Sequence, residues 1–386
     1  MLLRIALCWI CLACLGQPCF AHDPSAWGGT FRSRDGGETW MPIDAGLFVG
    51  GAITVAIDPS DANHLLYATD TRLMRSRNGG RDWVQETSPV FIGPTLAIAF
   101  TRDGKAVLAA TAGGVYVSEP GAQWKGVNIS ASATPALNLL SGPRPGQFYV
   151  IGARGTYRSD DRGQTWSRIG EALPEAPSAL AIPAESGRVL VAIVQGSIYT
   201  SVDDGSTWQI HRSGLADGKL EMVAADPVAG RAWAGGSDRL FVSDDGGLSW
   251  AQVGQALPDA DTRIRGVIAS ADRVTIALST HRGVYRSTDG AKTWQQLQGN
   301  LPVHLETGAL VRDPHDAKTL YAPFSLTPYH EIRRRALEGS NLLSQIDTFS
   351  LFGAGAFFIL FVVAAGYAVR KLLRISGSGR PSTGIR

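Results

Sequence analysis

One eight-residue phrase, Ser-x-Asp-x-Gly-x-Thr-Trp, returns seven times along this 386-residue chain at a nearly constant step, and no other feature limits the fold so sharply. The full form stands at Ser33-Asp35-Gly37-Thr39-Trp40, Ser159-Asp161-Gly163-Thr165-Trp166 and Ser201-Asp203-Gly205-Thr207-Trp208. Ser243-Asp245-Gly247-Ser249-Trp250 differs only by Ser for Thr. Three copies are worn: Ser76-Asn78-Gly80-Asp82-Trp83 has Asn for Asp, Ser287-Asp289-Ala291-Thr293-Trp294 has lost its second Gly, and Ser118 to Trp124 is one residue short. The Trp positions step by 43, 41, 42, 42, 42 and 44 residues. A period near 42 is long enough for one four-stranded antiparallel sheet with its turns, the unit of a radial β-repeat.

Each unit reads as four short strands. A first apolar run, such as Ala52 to Ile57 or Leu180 to Ile182, precedes an Asp/Pro/Gly turn. A second run follows, such as Leu65 to Ala68 or Val189 to Val194, and a third carries an aromatic before the motif (Tyr116, Tyr157, Tyr199, Phe241, Tyr285). Short β-branched and aromatic runs between turn residues are strands rather than helices. The octet is then the hairpin between the third and fourth strands. Its Asp accepts hydrogen bonds from backbone N–H groups of its own turn, and Gly supplies positive φ at no steric cost. Seven of the ten Trp occupy the last position of the octet, which points to packing between neighbouring sheets.

Residues 27 to 325 thus resemble the Asp-box family, also called bacterial neuraminidase repeats. The resemblance implies an all-β propeller in which the box is a structural hairpin, carried here by Asp35, Asn78, Asp161, Asp203, Asp245 and Asp289 with Trp40, Trp83, Trp124, Trp166, Trp208, Trp250 and Trp294. The alternative for Asp203-Asp204-Gly205 or Asp244-Asp245-Gly246, a calcium loop, lacks the oxygen ligands spread over twelve residues and the closing Glu of an EF-hand. The first box begins too early for two preceding strands, and the last is followed by Gly308 to Asp313 and Thr319 to Phe324 with no third strand. Gly29 to Ile43 would supply the outer pair of one blade and 307 to 325 the inner pair. The expected fold is therefore a seven-bladed β-propeller of four-stranded blades closed by strands from both chain ends, with no exposed sheet edge in the ring.

Residues 1–21 read as a secretory signal, with Arg4, an apolar stretch and Cys19-Phe20-Ala21 before His22. All four cysteines fall inside it, so no disulfide or thiolate chemistry is expected after cleavage; a lipobox at Cys14 would lack the aliphatic residue at −3. The propeller is expected over 22–330 and a juxtamembrane linker over 331–347. Thr348 to Val369 is uncharged and long enough for a transmembrane helix, and 370–386 is a basic tail. The excess of basic residues on the C-terminal side predicts a cytoplasmic C-terminus and an exported propeller on a single-pass membrane protein. Residues 22–330 carry 27 basic and 31 acidic side chains, net −4, which is no nucleic-acid footprint.

Two functions compete. Asp-box propellers include sialidases and xyloglucan-cleaving glycosidases. Sialidases, however, have six blades, irregular boxes and an Arg-Ile-Pro motif, whose nearest counterpart here is Pro143-Arg144-Pro145 on a hairpin at the other face. Glycoside hydrolysis needs two carboxylates about 5–10 Å apart, and the acids at first-strand entrances, Glu221 and Glu306, belong to non-adjacent blades. Regular seven-bladed chains without catalytic motifs look more like photosystem II assembly and stability factors, which implies a protein-binding or assembly platform for a membrane or envelope protein. A bound glycan is the lesser alternative, and no metal or other cofactor is implied. The candidate partner face carries the turns between second and third strands, with Arg72, Arg154, Arg239, Arg282 and His281; arginine there suits carboxylate or phosphate groups.

Overall fold

The computed structural model describes residues 28–338 apart from 45–46, 48, 184–187, 212–214, 216–218, 229 and 303. All of these fall in the first of two units, Met1–Gly339 and Ser340–Arg386. The expected secretory signal (1–21), transmembrane helix (348–369), basic tail (370–386) and the rest of the linker lie outside the described residues. Among the described residues no helix is long and apolar enough to cross a membrane.

Alternating short strands and tight turns close into a ring of seven antiparallel sheets. Blades 1 to 6 occupy residues 52–85, 95–126, 136–169, 179–211, 222–252 and 264–296, each four strands in simple up-and-down order. Blade 7 is built from both ends, as the sequence predicts: Gly29–Ser33 and Met41–Pro42 form its outer pair, and Gly29–Ser33 pairs with Leu320–Ser325 further in. Its first strand is broken into Glu306–Thr307 and Val311–Arg312. The break sits beside Gly308, where a Cβ would come 2.9 Å from the Tyr329 hydroxyl and 3.1 Å from Ile53 O.

The core is seven apolar layers rather than one. Each buried cluster fills the gap between two neighbouring blades, and each box Trp packs into the layer between its own blade and the preceding one. Burial is uneven. Trp40 and Trp250 are only 4% and 5% exposed, while the other five box Trp are half-buried. The fourth strands begin just after the Trp and are only two or three residues long.

Inside a box the Asp carboxylate organises the turn. Asp35 Oδ1 accepts from Ser33 Oγ (2.7 Å), Glu38 N (3.0 Å) and Thr39 N (2.9 Å), and Oδ2 accepts from Thr39 Oγ1 (2.6 Å). Ser33 Oγ in turn accepts from Gly37 N at 2.8 Å. The same pattern recurs around Asp161, Asp203, Asp245 and Asp289. Bonds from the Thr207 side chain, the Thr207 N–H and Ser201 hold Asp203 down to about 2, and the corresponding donors hold Asp289 there too. In Asp35 and Asp245 burial pushes the pKa up, yet the combined donors still bring it to about 2. Asn78 keeps the accepting role with Oδ1 and donates through Nδ2 to Asp82 (2.7 Å), which explains why the worn box survives.

A second device, invisible in the repeat pattern, links successive blades. In four of the seven blades the residue just before the box Ser reaches into the next blade's box. Arg32 donates to Gly79 O (2.8 Å) and Thr200 Oγ1 to Gly247 O (2.8 Å). Arg158 lies 3.4 Å from Asp204 and Arg286 4.0 Å from Glu38. Polar latches of this kind fix the angular step while the apolar layers supply most of the stabilisation.

Candidate functional site at the mouth of the central channel

Strand direction sorts the ring into two faces. Box hairpins and first-to-second-strand turns share one; second-to-third-strand turns, interblade links and first-strand entrances share the other. On that second face four blades carry the same irregularity. In blades 1, 2, 3 and 6 the pairing of first and second strands skips one residue near the entrance: Ile53, Leu96, Leu137 and Arg265 are each unpaired between regular partners. A β-bulge re-aims the extra side chain. All four bulge residues line a cavity of about 370 Å³ at the mouth of the central channel.

A helix, α1 (Tyr329–Leu337), sits across part of this mouth. It starts within a few residues of the last strand of blade 7, so the expected linker beginning at 331 is instead, over its first residues, packed on the propeller. Tyr329, Ile332 and Ala336 face Ile53, Leu96 and Ala112 of blades 1 and 2. Glu306 Oε2 accepts from Tyr329 N at 2.9 Å, capping the positive end of the helix. The same oxygen lies 3.0 Å from Arg265, whose guanidinium sits 5.2 Å from the Tyr329 ring centre. The Tyr329 hydroxyl donates to Ala52 O (2.5 Å), and burial raises its pKa strongly. Surface pairs Glu331–Arg334 and Arg334–Glu338 support α1 from within. The stripe Tyr329-Ile332-Ala336, with acid early and base late, was the available sequence signal for this helix.

The rest of the mouth is cationic. Arg263 is 3.9 Å from Glu221, a long separation, and Arg333 has no carboxylate partner among the described residues. Arg333 meets the water of the cavity, yet the protein walls and the Arg265 charge lower its pKa below the ordinary guanidinium value. His281 Nδ1 accepts from Arg263 N (3.0 Å), so this nitrogen is unprotonated. Burial, then the charges of Arg282 and Arg265, lowers the His281 pKa.

Of the turn residues singled out from sequence, the arginines are not brought together. They lie in blades 1, 3, 5 and 6. Arg72 and Arg239 donate to Gln85 (3.4 Å) and Gln252 (2.9 Å) on the outer strand of their own blades. Arg282 is 3.4 Å from Asp259, and Arg154 borders a separate cleft with Arg168 and Glu175. Only His281 adjoins the mouth. The interblade arginines Arg263 and Arg265 belong to the face expected from sequence, but Arg333 and its convergence with them were missed, because that convergence depends on a bulge and on α1.

Catalytic arrangements fare differently. Glu306 is engaged by Arg265 and the helix N-terminus, and Glu221 stands two blades away. The Asp58–His64 contact (2.9 Å) is no nucleophile-activating pair: His64 Nε2 is taken by Arg75 (2.9 Å), and Ser60 donates to Asp58 rather than to the imidazole. Arg144 lies 3.2 Å from Asp160 at the box face. Among the described residues no group of three or more His, Cys, Asp or Glu is placed to hold a metal ion.

A closed ring of seven blades stitched by Ser-x-Asp-x-Gly-x-Thr-Trp hairpins makes this chain an Asp-box β-propeller. The BNR/Asp-box repeat model matches residues 157–168, the box of blade 3. In overall fold the chain is similar to YCF48 bound to D1 peptide, at 18% identity and TM-score 0.55 over 72% of this chain and 94% of that one. It is likewise similar to YCF48 from Cyanidioschyzon merolae, at 16% identity and TM-score 0.54 over 72% and 97% of the two chains. A xyloglucanase from Paenibacillus sp is 25% identical over 245 residues, which is 55% of this chain and 22% of that protein. The chain thus spans about a fifth of the length of this curated relative.

Proposed function

We propose that this chain is an exported, membrane-anchored propeller that holds a membrane or envelope protein at its channel mouth, as an assembly or stability platform. The observation that carries this reading is Arg333, a cation without a carboxylate partner among the described residues, beside a cavity into which four bulges turn their side chains. Such a cation suits a carboxylate on an incoming chain. A peptide is the ligand of the similar YCF48 propeller, which agrees with this choice. The turn arginines Arg72, Arg154, Arg239 and Arg282 form an outer rim of the same docking face.

Co-purification tests the reading. Full-length protein carrying Arg263→Ser and Arg333→Ser should lose its membrane-protein partners, and Arg72→Ser/Arg154→Ser/Arg239→Ser/Arg282→Ser should weaken capture. A box-face variant, Arg34→Ser/Arg81→Ser, should keep them. Loss in the box-face variant with retention in the mouth variant refutes the assignment. For topology, a reporter active only in the cytoplasm should work when fused after Arg386, and protease on the exported side should reach 22–330. Protection of the propeller in intact cells refutes it. The Paenibacillus similarity favours a second reading, glycoside hydrolysis. Release of sugars from xyloglucan, lost in Glu221→Gln, would establish it.

A further inference from the structure

We infer that the seat of α1 is a docking surface for a short amphipathic helix, and that α1 is its built-in, displaceable occupant. The seat has three parts. Ile53, Leu96 and Ala112 form an apolar floor, Glu306 receives a helix N-terminus, and the Ala52 carbonyl receives a phenol. This is helix-in-groove recognition, read out at positions i, i+3 and i+7.

Attachment of α1 is lopsided. Its first residue makes the specific bonds, through the Tyr329 N–H, hydroxyl and ring. Beyond Tyr329, only Ile332 and Ala336 are buried, and Arg334 and Arg335 bond within the helix itself, to Glu331 and Glu338. Lifting α1 breaks none of the ion pairs described between charged side chains of the propeller. It leaves Glu306 paired with Arg265 and uncovers the floor. The floor itself was shaped to be filled: Ile53 and Leu96 are bulge residues, and Gly308 leaves room for the Tyr329 hydroxyl. The incoming partner is thus a helical segment with an aromatic, a branched aliphatic and a small residue on one stripe.

The full chain and a fluorescein-labelled peptide of residues 327–338 test this in trans. An internal occupant competes at an effective concentration of order millimolar, so freeing the seat should tighten peptide binding at least about tenfold. Ile332→Asp/Ala336→Asp in the chain should unseat its own α1 and gain that binding. Adding Leu96→Asp should abolish it, and a peptide with Tyr329→Ala should not bind. A double variant that keeps the wild-type melting temperature yet binds no tighter overturns the proposal. If the double variant does not fold, amide exchange of residues 332–337 in the wild type decides. Exchange well ahead of the blade 1 strands supports a displaceable helix, and exchange only with global unfolding overturns it.

Discussion

The second Gly of the box tests whether the motif is read by backbone conformation or by packing. Gly37 and Gly247 occupy the same position with similar φ, +88° and +92°, so an added Cβ meets the same backbone penalty at both. Left-handed backbone costs an L-residue roughly 1–2 kcal/mol, offset by about 0.4–1 kcal/mol from a stiffer unfolded chain. Their surroundings differ. At Gly37 the nearest atom to a built Cβ is Leu320 Cδ1 at 3.5 Å, an ordinary contact. At Gly247 it is Val191 Cγ2 at 2.5 Å, with Thr200 Oγ1 at 3.3 Å, and Thr200 carries the latch to Gly247 O. Overpacking of this kind adds about 1–3 kcal/mol. Gly37→Ala should therefore cost about 1 kcal/mol and Gly247→Ala about 3 kcal/mol. Urea unfolding followed by tryptophan fluorescence measures both. Equal losses would show that conformation alone sets the glycine, and would refute the packing argument. The chain already holds one exception, Ala291 at φ +65°. It is tolerated because the facing residue of the preceding blade is Gly254, where a Cβ would lie 2.5 Å from that of Ala291.

Trp250→Ala should cost about 3–5 kcal/mol and half-buried Trp208→Ala distinctly less, as denaturant midpoints will show. Thr200→Val, which removes the latch hydroxyl but keeps its shape, should cost about 1 kcal/mol in the same assay. The carboxylates of Asp35, Asp203, Asp245 and Asp289 sit near 2, below their ordinary value of 3.8, so the stability they contribute is present above about pH 4 and is lost as pH falls toward 2. Asp35→Asn/Asp245→Asn should accordingly be less stable at neutral pH and lose less on acidification, measured by melting temperature against pH. A chelator should leave the melting temperature unchanged, since the Asp oxygens are filled by N–H and O–H donors.

Much of this fold is legible without coordinates because a propeller is periodic. Each octet encodes a local hairpin through Asp and Gly, and seven copies at one spacing require seven equivalent environments. The complementarity of Gly29–Ile43 with 307–325 extended that logic to ring closure. The same periodicity hides the site. Arg72, Arg154, Arg239 and Arg282 stand out in sequence because they recur, and recurrence spreads them around the ring, where Arg72, Arg239 and Arg282 find partners on their own blade or interblade link and Arg154 borders a separate cleft.

What the amino-acid sequence by itself determined is the number, order and hairpin chemistry of the blades, all local properties repeated in register. The mouth was decided only by tertiary structure. Ile53, Leu96, Leu137 and Arg265 reach it through bulges in strand pairing, and Arg333 reaches it on a helix that returns across the ring. None of these placements follows from a residue's neighbours in the chain. Each depends on the pairing of one strand with the next, and on α1 finding its apolar seat on blades distant in sequence.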